Sequence, residues 1–295
     1  MNLSFVVVGD AMLDITARLQ GPIAWGSDSP ADIRFQPGGS GANTARWLAH
    51  TGHHTAFIAA VGDDPAGELV RSVLHADGVG PGLQSVPGAT TGACIVLVDA
   101  DGERTMLPDA GANSRLDSAA VPDALLTGHL HVSGYTLLNP ASREAGLAIV
   151  RRAHALGCSL SLDPASAAPL EAAPAAFDAL DGIVDVLIAN SDEARVLTGV
   201  ADPVEACRIL AQRYPTAVVK RGADGAVAHH GADGARIDAA PARVLDTTGA
   251  GDAFAAGFLP RWAEGASLSE ALGAGVGLAA RAVGRVGAGP PPRLP

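Results

Sequence analysis

Asp246-Thr247-Thr248-Gly249-Ala250-Gly251-Asp252, running into the apolar stretch 253–259, reads as a helix entered through a glycine turn. Gly-Ala-Gly at a helix start leaves backbone N–H groups uncovered at the positive end of the helix dipole. Such a place holds an anion, typically a phosphate. Asp252, in the first turn, sets a carboxylate beside that pocket, and the same dipole favours the ionised form that a proton acceptor needs. An ordinary capped helix, with Thr248 as cap, would also account for Gly-Ala-Gly-Asp alone. The whole seven-residue run is far more specific.

Upstream lie weaker pieces of the same kind. Pro37-Gly38-Gly39-Ser40-Gly41-Ala42-Asn43 brings backbone glycines to the start of a second helix, with Asn43 in its first turn. An amide there can both donate to and accept from a diol, although a plain strand-to-helix turn reads equally well. A dinucleotide fingerprint is disfavoured, because Thr44 stands where its third glycine belongs. Asp14, past the end of the first strand, faces the ligand crevice of an open sheet, or else is a simple turn residue. Asn190-Ser191-Asp192-Glu193 places an acid where a magnesium-bound water could be held, and would also serve as a helix cap. Lys220-Arg221-Gly222-Ala223-Asp224-Gly225 ends a strand in a loop that could lie along a nucleotide or merely turn the chain.

Around these motifs, short apolar runs alternate with helical patterns. Strands are predicted at 3–8, 55–61, 93–98, 130–132, 159–162, 186–189 and 217–220. Helices are predicted at 41–50, 67–76, 142–156, 191–197, 204–213, 250–262 and 268–283. Such alternation gives right-handed βαβ units and a mainly parallel sheet covered on both faces. Residues 15–36 and 92–107 break the rhythm and read as β-ribbons forming a small lid. With no linker or repeat, residues 1–295 are read as one domain with lid inserts, and 290–295 as a frayed tail.

Composition narrows the function. A net charge of −11 argues against a nucleic-acid partner. Lys220 is the only lysine, so no Gly-Lys pair exists and a P-loop is excluded. The three cysteines, Cys94, Cys158 and Cys207, are widely spaced and suit a reducing compartment. No basic leader and no apolar run of about 20 residues is seen, so a cytoplasmic protein with no membrane partner is expected.

Taken in order, these motifs resemble the ribokinase-like (PfkB) family of sugar and nucleoside kinases. The resemblance implies a ribokinase-like three-layer α/β/α sandwich with a mainly parallel central sheet and a small β-sheet lid. It assigns Asp252 as catalytic base and Gly249, Ala250 and Gly251 as the anion hole for the transferred phosphoryl group. Met12, Asp14, Gly39 and Asn43 correspond to acceptor-binding positions. Asn190, Lys220, Gly222, Gly225 and Val276 fall where the nucleotide lies, and Glu193 corresponds to a residue that organises magnesium through water. Asp246 and the Thr248 carbonyl match ligands of a monovalent cation, with carbonyls at 284–289 completing the shell, so potassium is expected to raise activity. ATP and Mg²⁺ are the implied cofactors, and a homodimer joined through lid edges is expected.

Phosphoryl transfer through a loose transition state needs positioning and charge stabilisation, and on this reading backbone donors supply it without a lysine. Met12 stands where ribokinase proper carries Asn, which turns the reading away from ribose. Arg104 is the one basic lid residue that could mark a phosphorylated acceptor. The leading function is therefore ATP-dependent phosphorylation of a hydroxyl of a neutral sugar. A nucleoside kinase is the alternative. A non-catalytic sugar- or nucleotide-binding protein is more remote, since neither Asp252 nor the glycines are lost.

Overall fold

Phe5-Val6-Val7-Val8 is a continuous apolar run, as a strand buried on both faces should be. In the computed structural model, which describes residues 4–99 and 103–292, it is an interior strand of the main sheet. The first residue of the strand predicted at 3–8, three residues of the ribbon predicted at 92–107 and the last three of the tail lie outside the described residues.

In chain order the first elements are β1 (Ser4–Val8), β2 (Met12–Leu19), β3 (Ala31–Gly38), α1 (Ser40–His50), β4 (His54–Gly62) and α2 (Pro65–Ala76). Then come β5 (Leu83–Val86), β6 (Gly92–Val98), β7 (Arg104–Asp109), β8 (His129–Ser133), α3 (Tyr135–Leu138) and α4 (Arg143–Ala155). The middle holds β9 (Ser159–Asp163), α5 (Ala167–Ala172), β10 (Val186–Asn190), α6 (Ser191–Thr198) and α7 (Pro203–Leu210). The last elements are β11 (Thr216–Lys220), β12 (Ala226–His230), β13 (Asp233–Ile237), α8 (Ala250–Ala263) and α9 (Leu268–Val283).

The main sheet has the order β13-β12-β11-β10-β9-β8-β1-β4-β5, parallel except for β12 against β11 and β13. Side-chain alternation divides its core. Phe5 and Val7 join Trp47, Phe57, Phe254 and Phe258 beneath α1, α8 and α9. Val6 and Val8 join Ile58, Leu130, Ile149 and Leu160 on the side of α4, α6 and α7. The result is the expected α/β/α sandwich. Three strands lie outside the predicted set: β12, which follows the turn after β11, and the two edge strands. β5, with Gln84 and Ser85, and the polar β13 lie at the sheet's two edges, where solvent on one side removes the continuous apolar run.

The lid is a separate sheet of order β3-β2-β6-β7, built from the two inserts that the sequence marks. One face carries Asp14, paired with Gln36 and Cys94, and turns toward the core. The other carries the row Phe35-Ile15-Ile95-Leu107.

β1 lies between β4 and β8, so successive connections leave it in opposite directions. That switch opens a crevice beyond the carboxyl ends of the strands. Asp10 follows β1 there, while Ser133, Asp163, Asn190 and Lys220 end β8, β9, β10 and β11.

Candidate active site

Asp10 organises the crevice. Helix α1 begins at Gly39, φ 98°, with no side-chain cap of its own. Asp10 caps it from the neighbouring strand end: Oδ2 accepts from Ser40 N at 3.1 Å and Oδ1 from Gly41 N at 3.1 Å. Ser133 Oγ also donates to Oδ1, at 3.1 Å. The approach requires glycine, because a Cβ at Gly9 would lie 2.5 Å from the Gly41 Cα. α1 is thereby driven end-on into the crevice.

Helix α8 arrives from the other side. Its N-cap, Gly249, takes the left-handed φ of 74°, and a side chain there would strike the Ala288 carbonyl at 2.5 Å. Asp252 sits in the first turn and accepts from Ser40 Oγ at 2.8 Å, so the two glycine motifs meet through one hydrogen bond. Burial pushes Asp252 up to about 7; Asp163 and Asp10 add to the rise, while Ser40 and Lys220 oppose it.

Lys220 reaches the same turn. Its Nζ lies 3.2 Å from where a Gly251 Cβ would stand and donates to Asp163 Oδ2 at 2.7 Å. Burial alone would lower its pKa, but Asp163 and Glu193 outweigh burial and hold it above the ordinary lysine value. The sequence reading expects backbone donors alone at this turn, whereas the chain's one lysine also stands beside it. Glu193 is locked by a reciprocal cap with Asn190, accepting from its N at 2.7 Å and Nδ2 at 2.6 Å. Burial and the nearby Asp163 push Glu193 up to about 7.

At the lid end, Asp14 fits only because residue 38 is glycine, where a Cβ would stand 2.1 Å from its Oδ2. Burial, then the charge on Asp10, pushes Asp14 up to about 6. Asn43 Oδ1 is buried with no hydrogen-bond partner. Buried polar atoms are normally satisfied, and this orphan belongs to a residue that lines the cavity described below. Asn113 ties the site's rim, accepting from Ala11 N at 2.9 Å and donating to Ala11 O at 2.8 Å.

These groups line one cavity of about 780 Å³. Met12, Asp14, Gly39, Asn43, Asn190, Glu193, Lys220, Thr248, Gly249, Gly251 and Asp252 all line it. Ala250 lies between two of its lining residues, as the first residue of α8. Gly222 and Gly225, at φ 57° and 81°, shape the turn after β11 outside the cavity wall, and Val276 packs in the core at 8 % exposure. Asp246 lies in an adjoining cavity of about 280 Å³ beneath the lid, with Arg104. Asp10, Ser40, Asp163 and Tyr135 line the main cavity without having been singled out by role. For Asp163 a signal existed, an acid at the end of a strand.

Asp10, Asp14, Asp163, Glu193 and Asp252 line the main cavity against one basic residue, Lys220. Such an acid excess admits a polyphosphate only with a cation. Among the described residues no cluster of three metal-ligating side chains exists. A magnesium ion fits if phosphates and waters fill most of its shell, as this ion prefers.

The sequence model for pfkB family carbohydrate kinase matches residues 2–294. The chain is 32% identical over 293 residues to an ATP-dependent ribose-1-phosphate kinase of Halopiger xanaduensis, covering 95% of this chain and 92% of that one. It is 30% identical over 268 residues to a fructokinase of Klebsiella pneumoniae, covering 88% and 84% respectively. Adenosine kinase from Sinorhizobium meliloti superposes with a TM-score of 0.88 at 29% identity, covering 98% of this chain and 96% of that one. A putative ribokinase II from E. coli, solved with ATP and Mg²⁺, gives 0.85 at 25% identity, covering 97% and 94%.

Proposed function

The chain belongs to the pfkB family of carbohydrate kinases, and from that premise we propose that it moves the terminal phosphoryl group of ATP onto a primary hydroxyl of a neutral sugar. The observation that carries this reading is that Asp252 and Asn43, from the first turns of α8 and α1, line one cavity. Asn43 and Asp14 hold neighbouring hydroxyls of the acceptor. Asp252 takes the proton of the reacting hydroxyl, late in the transfer, so a carboxylate suffices as base. The N–H groups of the turn 249–252 and the Lys220 ammonium face the phosphoryl oxygens as charge moves onto them. Bound magnesium supplies charge neutralisation across the phosphates, and Asn190 and Glu193 would hold its waters.

An ADP-release screen over neutral sugars, phosphosugars and nucleosides tests the assignment. Turnover confined to phosphosugars would overturn the neutral acceptor. Met12, Met106, Leu116 and Leu138 give the cavity an apolar stretch, which favours a nucleoside as the second acceptor class.

The base also sets a pH dependence. Asp252 works only when ionised, so kcat/KM should rise with pH through about 7, its raised value in the free protein. Ser40 lowers that pKa by donating to the carboxylate, so Ser40→Ala should move the acidic limb to higher pH. An unshifted limb in a folded Ser40→Ala variant would show that another group titrates.

We further propose a homodimer through the lid. Its outward row leaves Ile33, Phe35, Ile95 and Leu107 at 57%, 61%, 41% and 53% exposure, a contiguous apolar face of the kind that marks an interface. Phe35→Asp should then give a monomer in light scattering, while a wild-type monomer would remove the idea.

A further inference from the structure

The sequence resemblance allots Asp246, the Thr248 carbonyl and carbonyls of 284–289 to a monovalent metal ion. The geometry does not fit that use. Asp246 Oδ1 already accepts two hydrogen bonds, from Thr248 N at 2.8 Å and from the Arg104 guanidinium at 2.7 Å. Oδ2 accepts from Gly287 N at 2.9 Å. Of the loop carbonyls, Ala288 O is turned inward to Trp47 Nε1 at 2.9 Å. A second guanidinium crowds the loop's end, since a Cβ at Gly289 would lie 2.2 Å from an Arg46 nitrogen. An added monocation would face positive charge already seated on its main anionic ligand.

Arg104 comes from β7, a lid strand, yet among the described residues the hydrogen-bond partners of its guanidinium belong to the loop that feeds the turn 249–252. Besides Asp246, it donates to Thr248 Oγ at 2.7 Å and to Thr247 Oγ at 3.3 Å. The contact is largely shielded, with the two charged side chains 25% and 16% exposed. A guanidinium fork suits this task, fixing a carboxylate and a hydroxyl together as a point charge cannot.

We propose that Arg104 is the resident cation of this loop: it neutralises Asp246 and orders residues 246–249 in place of a monovalent metal ion. Because the charge is carried on the lid, the anion hole is fully ordered only when the lid is down. Arg104 is thus a positioning residue, and it is committed to Asp246 rather than to a phosphorylated acceptor. The inference rests on the kinase reading for its rate arm alone.

The test compares wild-type protein in potassium, sodium and choline chloride at equal ionic strength, by kcat and by thermal melting. Wild type should turn over within about twofold in all three salts and show no potassium-specific rise in Tm, since an ion that does not bind cannot stabilise. Arg104→Gln in choline should lose roughly a hundredfold in kcat, the scale of a loosened positioning group. Potassium, but not choline, should then restore much of that loss and raise the variant's Tm. Potassium activation of wild type would overturn the proposal. So would a Gln variant that is slow in every salt and gains no Tm from potassium, for Arg104 would then be only a tether. Should Arg104→Gln fail to fold, Arg104→Lys and the wild-type salt comparison decide. The melting arm needs no acceptor, so failure to find a sugar substrate leaves it readable.

Discussion

Asp252→Asn lowers kcat by at least two decades while leaving a folded, nucleotide-binding protein. General-base catalysis is typically worth about 10²–10⁴-fold, and an amide cannot take the hydroxyl proton. Shape is preserved: an Asn carbonyl oxygen can still accept from Ser40 Oγ, which holds the aspartate at 2.8 Å. Stability should not suffer, because the wild-type carboxylate is buried and raised to about 7 in the field of Asp163 and Asp10. Removing its charge relieves that repulsion, against a lost helix-dipole contribution of about 0.3–1 kcal/mol. ATP affinity should hold or tighten, since a negative charge beside the triphosphate is gone. The measurements are kcat with a confirmed acceptor, calorimetric nucleotide affinity and a thermal melt. Turnover within a few-fold of wild type in a folded Asn variant would remove Asp252 as base.

The parts of this site that sequence shows are those whose signal is local. A left-handed Gly249, an acid in the first turn of α8 and an amide in the first turn of α1 are each written within a few residues, so both helix entrances can be read. The apolar period shows the interior strands equally well, and fails at β5 and β13, whose edge positions make them polar. Asp14 is marked out by the resemblance, but nothing local in the sequence shows what Asp10, the other acid after β1, does. That shows only when α1 docks and takes Asp10 as its cap, leaving Asp14 on the lid beside the acceptor end. Arg104 and Asp246 are likewise separated by most of the fold's second half, and only the closing of the lid sheet against 246–248 brings them together.

Lys220 is the clearest case of such long-range assembly, and its removal should have the second large effect. β11 delivers the ammonium to the rim of the turn that β1, α1 and α8 form together, with Asp163 of β9 as counter-charge at 2.7 Å. If Lys220 stabilises the transferring phosphoryl group, Lys220→Met loses one charged donor of an anion hole, a loss typically worth about 10²–10³ in kcat. The same substitution also strands Asp163, whose side chain is only 9% exposed. Breaking a buried pair from one side destabilises by roughly 3–5 kcal/mol, so a slow single variant could be slow merely because it is loose. The double variant Lys220→Met/Asp163→Asn separates the two effects. It removes both charges and should recover most of the melting temperature, while kcat stays down by the full factor. A double variant that regains both stability and turnover would show the lysine to be a structural partner of Asp163, leaving the backbone turn 249–252 to stabilise the phosphoryl group alone.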